Sequence, residues 1–220
     1  MSGNVKRGNM YFPAKEIVPG LWIGSKGNAT SASWVRDHNI KFIVNVSRDI
    51  PTPFTSAINT YRIPVDDARD ENGAIIKHWP ITSAAIDDVL SHGGGVLVHC
   101  YAGIQRSAAT VTAYLMWKRC LTARDAMKLV NSKKGETFNW GQRATFWEAL
   151  KKWEDELRRQ GRVGGRVGVS ACPRAVRAPH GVTTGSSGMG TGSVVRYTPA
   201  IADSGQNASL MNGGPPGGNI

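Results

Sequence analysis

The sequence predicts an α/β protein with a central, mostly parallel sheet flanked by helices on both faces. Three observations carry this expectation. Short, β-branched apolar runs such as Lys41-Phe42-Ile43-Val44-Asn45-Val46 recur along the chain, with the composition of buried strands. Longer segments of helical periodicity separate them. Val96-Leu97-Val98-His99 is apolar without alternation, as a strand covered on both faces should be.

Taken in order, residues 1–14 lack periodicity and read as a loose leader. A catalytic-size domain is expected over residues 15–160. Leu21-Trp22-Ile23 follows a Pro-Gly turn and reads as a short edge strand. Ser31 to His38 reads as a short helix, and Lys41–Val46 as a buried strand. Tyr61-Arg62-Ile63-Pro64-Val65 is a further strand, with Pro64 marking its end because proline cannot donate to a ladder. A helix follows with Trp79, Ile86, Val89 and Leu90 facing inward, stopped by His92-Gly93-Gly94-Gly95. After Val96–His99, residues 107–119 are apolar nearly all round, the mark of a buried helix. Thr122-Ala123-Arg124-Asp125 resembles a capping box and opens the next helix. Phe146, Leu150, Trp153 and Leu157 mark one face of a last helix.

Composition changes near Gln160. Residues 161–220 are dominated by Gly, Ser, Thr, Val, Pro and Arg and end in Gly213-Gly214-Pro215-Pro216-Gly217-Gly218. Such a segment buries too little apolar surface to offset its ordering entropy and is expected to be a disordered tail. All seven tryptophans precede it. The net charge is +11, which favours anionic partners without choosing among phosphates, acidic peptides and anionic surfaces. The arginines spaced up to Arg177 make the tail a candidate contact for an anionic partner. The three cysteines, Cys100, Cys120 and Cys172, fit no zinc spacing. No signal segment and no apolar run near the ~18 residues of a membrane span is visible. A soluble protein of a reducing compartment, cytoplasmic or nuclear, is expected.

The chemistry concentrates in His99-Cys100-Tyr101-Ala102-Gly103-Ile104-Gln105-Arg106-Ser107, between an apolar strand and an apolar helix. A tight loop leaving a strand and entering a helix aims several backbone N–H groups at one point, and the helix N-terminus adds its positive end. The residues from Tyr101 to Arg106 thus form an anion cradle. Cys100 lies at its floor, where a positive field favours the thiolate. Arg106 closes the loop and can hold two phosphoryl oxygens in a bidentate fork. Gly103 permits the turn, and Ser107 can hydrogen-bond the sulfur. Cys120 reads as packing, and His38, His78, His92 and His180 as surface or loop.

These residues resemble the Cys-x5-Arg-Ser signature of the protein tyrosine phosphatase superfamily. The His-Cys-x-Ala-Gly-x-x-Arg-Ser form resembles the dual-specificity phosphatases in particular, over residues 15–157. Ile17-Val18-Pro19-Gly20-Leu21-Trp22-Ile23-Gly24 is similar to that family's opening strand pair, and Ala113-Tyr114-Leu115-Met116 to its helix after the loop. The resemblance implies a protein tyrosine phosphatase-like fold and hydrolysis of phosphotyrosine, phosphoserine and phosphothreonine in proteins through a cysteinyl-phosphate. It implies that the general acid is the second of Asp66 and Asp67, and that His99 holds the loop and tunes the thiolate. No metal or nucleotide cofactor is expected, because Arg106, the loop amides and the helix terminus supply the electrostatic stabilisation. Gln105 departs from the small residue common before the arginine and is expected at the pocket mouth. Asn139 stands where the family has a bracing asparagine, although Phe138 replaces the usual proline. Relatives of the fold act on RNA 5′ ends or phosphoinositides. The basic charge permits this, but no RNA-binding motif accompanies it, so nucleic acid is not the expected partner. A phosphate-binding module without catalysis would be expected to lack the cysteine, the arginine or the acid, and this sequence has all three.

Overall fold

The computed structural model describes residues 13–54, 56–134 and 145–163. The expected leader before Pro13, Asn139, and the tail beyond Val163 with Cys172 and His180 lie outside them. Five strands form one sheet: β1 (Lys15–Val18), β2 (Leu21–Gly24), β3 (Ile40–Asn45), β4 (Asn59–Arg62) and β5 (Gly95–His99), in the order β1-β2-β5-β3-β4. The β1–β2 pair is antiparallel, and β2–β5, β5–β3 and β3–β4 are parallel.

Side chains alternate across this sheet with period two, except at the register shift between Ile40 and Phe42 in β3. Leu21, Ile23, Phe42, Val44, Val96 and Val98 enter the large core. Trp22, Ile40, Ile43 and Leu97 enter a smaller one on the opposite face. The smaller core is closed by α1 (Lys26–Thr30) and α2 (Ala32–Asp37). The larger is closed by α3 (Asn72–Ile76), α4 (Trp79–Ser91), α5 (Arg106–Arg119), α6 (Ala123–Lys134) and α7 (Trp147–Arg159). Helix α5 is buried at every position from Arg106 to Trp117, which explains why its sequence carries so little amphipathic pattern.

Three expectations are corrected in detail. Leu21–Ile23 is an inner strand: β1 pairs on one side and β5 on the other, and β1 supplies the edge. Strand β4 ends at Arg62, three residues short of Val65, because Pro64 lacks an N–H for the ladder. The packed chain also runs past Gln160. The Arg162 guanidinium lies 4.8 Å over the Trp117 ring and donates to the Trp117 carbonyl at 3.2 Å, and Val163 is buried in the main core.

Candidate active site

Strand β5 ends at His99 and α5 begins at Arg106, so residues 100–105 form the loop between them. A parallel central strand delivers its C-terminal end to one edge of the sheet, where ligand crevices of α/β folds form. The loop is braced from outside by the end of β2 and the start of α1. The Lys26 backbone N–H donates to the Tyr101 carbonyl at 3.0 Å. Gly103 sits at φ +75°, and a Cβ there would lie 2.7 Å from the Gly24 carbonyl oxygen. Both the backbone conformation and the close approach demand glycine.

Helix α5 enters the loop without a cap. Gln105, at its N-cap, makes no side-chain capping hydrogen bond, and no acidic residue stands in the first turn. Helix α2 is capped by Ser31 Oγ accepting from the Trp34 N–H at 3.3 Å, and α6 by Thr122 Oγ1 accepting from the Asp125 N–H at 3.1 Å. The uncapped end of α5 leaves N–H donors and the positive dipole end turned toward the loop. There lies Cys100, a free thiol with 1% exposure. Its Sγ is 3.4 Å from Ser107 Oγ.

Arg106 is 8% exposed. Its Nη1 donates to the Val65 carbonyl at 3.2 Å, and its buried Nε has no hydrogen-bond partner among the described residues. The bond to Val65 ties the guanidinium to the segment carrying Asp66 and Asp67, whose surroundings differ. Asp66 accepts from Arg48 Nε at 3.1 Å, and the same guanidinium reaches Glu71 at 2.6 Å. Asp67 is exposed, and its carboxylate has no partner among the described residues.

His99 is fully buried at the end of β5. Burial, the largest effect, pushes its pKa down to about 4; the Cys100 backbone opposes this, and Arg62 and Arg106 reinforce it. The imidazole is therefore neutral at pH 7. An unfolded chain titrates this group near ~6.5, so it binds more protons than the native state between about pH 6.5 and 4. Stability should be full above about pH 6.5 and fall by roughly 3 kcal/mol as pH drops through that window. Denaturant unfolding of wild type and His99→Gln across about pH 4–7 tests this; the variant should lose that part of the slope.

The remaining predicted loop residues are assembled as a rim. Tyr101 is 56% exposed, Ala102 and Ile104 are half-buried, and Gly103 is buried. Gln105 is half-buried, and its enclosed Oε1 has no hydrogen-bond partner among the described residues. Two other sequence expectations change. Cys120, expected as simple packing, ends α5 in a left-handed conformation (φ 54°) that turns the chain out of the helix; it is half-buried and disulfide-bonded. Two histidines expected at the surface take part in packing. His38 stacks on Trp34 at 4.1 Å, and His78 bonds the Tyr61 hydroxyl at 2.9 Å. Among the described residues, no group of three or more His, Cys, Asp or Glu is placed to hold a metal ion. No helix there is long and apolar enough to cross a membrane.

Sequence reading missed two loop contacts, the Val65 carbonyl and Lys134. The buried Lys134 ammonium donates to the Gly103 carbonyl. A lysine closing a helix reads as complementing the helix dipole, so no local signal marks it.

The sequence and fold have clear parallels among known proteins. The dual specificity phosphatase catalytic domain model matches residues 21–156. Human dual specificity protein phosphatase 9 is 33% identical over 168 residues, covering 74% of this chain and 43% of that protein. Human dual specificity phosphatase 28 is 33% identical over 148 residues, covering 67% of this chain and 81% of that protein. The chain spans less than half the length of several curated relatives it matches. Among solved structures, a mouse putative dual specificity phosphatase complexed with zinc tungstate is 32% identical, with a TM-score of 0.60 and coverage of 74% of this chain and 94% of that one. The crystal structure of human DUSP28 is 33% identical, with a TM-score of 0.58 and coverage of 66% of this chain and 95% of that one.

Proposed function

The chain belongs to the dual specificity phosphatase family, and on that premise we propose that it hydrolyses phosphotyrosine, phosphoserine and phosphothreonine in proteins through a phosphocysteine on Cys100. One observation carries the reading. A free, enclosed thiol stands before the uncapped N-terminus of a largely buried 14-residue helix, 3.4 Å from the Ser107 hydroxyl, and the buried Arg106 is the first residue of that helix.

The loop N–H groups and the α5 terminus hold the phosphoryl oxygens, and Arg106 adds a fork through Nε and a terminal nitrogen. The Cys100 thiolate attacks phosphorus, an S–P bond forms and the P–O ester bond breaks. The leaving oxygen takes a proton from the Asp67 carboxyl. Water then attacks phosphorus and returns a proton to the Asp67 carboxylate as the S–P bond breaks. The Ser107 hydroxyl, 3.4 Å from Sγ, donates to the departing sulfur. His99, neutral and buried, transfers no proton.

Support for Asp67 as the acid is its freedom. The Arg106–Val65 bond brings its segment to the cradle, while the neighbouring Asp66 is held by Arg48. Turnover on phosphotyrosyl and phosphothreonyl peptides, set against triphosphorylated RNA and a phosphoinositide, tests the substrate class. The peptides should be the better substrates by kcat/KM. Preference for RNA or lipid would overturn the protein-substrate reading and leave the cysteine chemistry standing.

A further inference from the structure

We infer that Lys134 is a positioning residue of the phosphate loop: its buried ammonium, holding the Gly103 carbonyl from outside, keeps the following Ile104 N–H turned toward the bound oxyanion. The inference rests on reading residues 100–106 as an oxyanion cradle.

The geometry begins with the peptide unit. A trans peptide points its C=O and N–H in opposite directions, and no cis bond occurs among the described residues. Every loop N–H turned inward to an anion therefore turns a carbonyl outward, and each outward carbonyl needs a donor of its own. The Tyr101 carbonyl has the Lys26 N–H. The Gly103 carbonyl has Lys134. The two peptides flanking Gly103, the Gly103–Ile104 one among them, rotate more readily than their neighbours, because Gly103 has no Cβ to restrict its backbone. Glycine moves readily between backbone regions. Unpinned, this peptide can flip and present a carbonyl to the phosphoryl group in place of an N–H.

Lys134 is well placed to prevent that. It is the last residue of α6, whose Ala126, Met127 and Val130 are buried in the main core. The two adjacent lysines at this helix end differ: Lys133 is exposed and Lys134 is 7% exposed. An ammonium is held in such a place only where its hydrogen bonds and nearby charge repay the lost hydration. Desolvation lowers its pKa to about 8, and the charge of Cys100 opposes that fall. The ammonium thus interacts electrostatically with Cys100, while Arg106 acts on the neighbouring neutral His99.

Alkylation of Cys100 separates positioning from general structure. Iodoacetate carries an anionic carboxylate that the cradle should bind, and iodoacetamide does not, so the ratio of their rates reads the cradle without any turnover. Lys134→Met should lower that ratio by about tenfold or more, less than the ~10²- to 10³-fold typical of deleting an oxyanion donor outright. Tungstate inhibition should weaken in parallel, and Lys134→Arg should restore both. A Met variant with the wild-type ratio and tungstate affinity overturns the inference. If the Met variant does not fold, Lys134→Ser decides. Ser ends three methylenes short of the Lys ammonium and cannot hold the Gly103 carbonyl, so a wild-type ratio overturns the inference, and a reduced ratio restored in the Arg variant supports it. Wild-type protein with no iodoacetate preference and no tungstate inhibition would instead sink the cradle reading itself.

Discussion

Cys100→Ser should abolish turnover, with kcat reduced by at least about 10⁴-fold, while binding of phosphopeptide persists. The substitution exchanges sulfur for oxygen and leaves the rest of the site in place. The uncapped N-terminus of α5, the Arg106 guanidinium and the brace from Lys26 do not depend on the sulfur. Affinity for the phosphoryl group should therefore survive. Reactivity should not. A serine hydroxyl is a weak nucleophile unless a neighbouring base takes its proton. The adjacent imidazole, His99, is fully buried in a site that holds it at a pKa of about 4, so it is a poor proton acceptor. Calorimetric titration of Cys100→Ser with a phosphotyrosyl peptide, beside kcat on the same peptide, measures both quantities. A variant that retains kcat within about tenfold would remove Cys100 from the chemistry. One that loses kcat and affinity together would show that the sulfur also supports the cradle.

The loop was legible because its logic is local. A strand, a tight turn with Gly103 and a buried helix occupy consecutive residues, so the register that places Cys100, Arg106 and Ser107 together is written in one stretch of chain. The strands β2, β3 and β5 were legible for a similar reason, since burial on both faces forces apolar residues at nearly every step. What escaped depends on distant partners. The inner place of β2 follows from pairing with β5, far along the chain. Strand β1 carries Lys15 and Glu16 on an exposed edge and has little apolar signal. Helix α1 opens with Ser25 and Asn28 bonded to each other, a box without the usual Glu. Lys134 meets its carbonyl across 31 residues, a separation no local pattern encodes. The choice between Asp66 and Asp67 rests on resemblance alone in the sequence; the hold of Arg48 on the first of them is visible only in the fold.

That choice yields the second large effect. Asp67→Ala should lower kcat by about 10²- to 10⁴-fold on a phosphoserine or phosphothreonine peptide, the usual worth of acid–base catalysis. An alkoxide is a poor leaving group, so the proton from the acid is needed as the P–O bond breaks. On an activated aryl phosphate, whose phenolate leaves readily without a proton, the first step should suffer little. Any remaining loss there reports the hydrolysis of the phosphocysteine, in which the same carboxylate takes a proton from water. Asp66→Ala should behave otherwise. It releases Arg48 from one of two ion pairs at the surface, and exposed pairs contribute about 0–1 kcal/mol, so kcat should stay within a few-fold of wild type. Burst kinetics on both substrates distinguish the steps. The Asp67 variant should show phosphocysteine formation limited by leaving-group quality and wild-type formation retained on the aryl ester. Should Asp67→Ala keep full activity on the serine peptide while Asp66→Ala loses it, the acid is Asp66. In that case the Arg48 contact would have to open in the substrate complex to free that carboxyl.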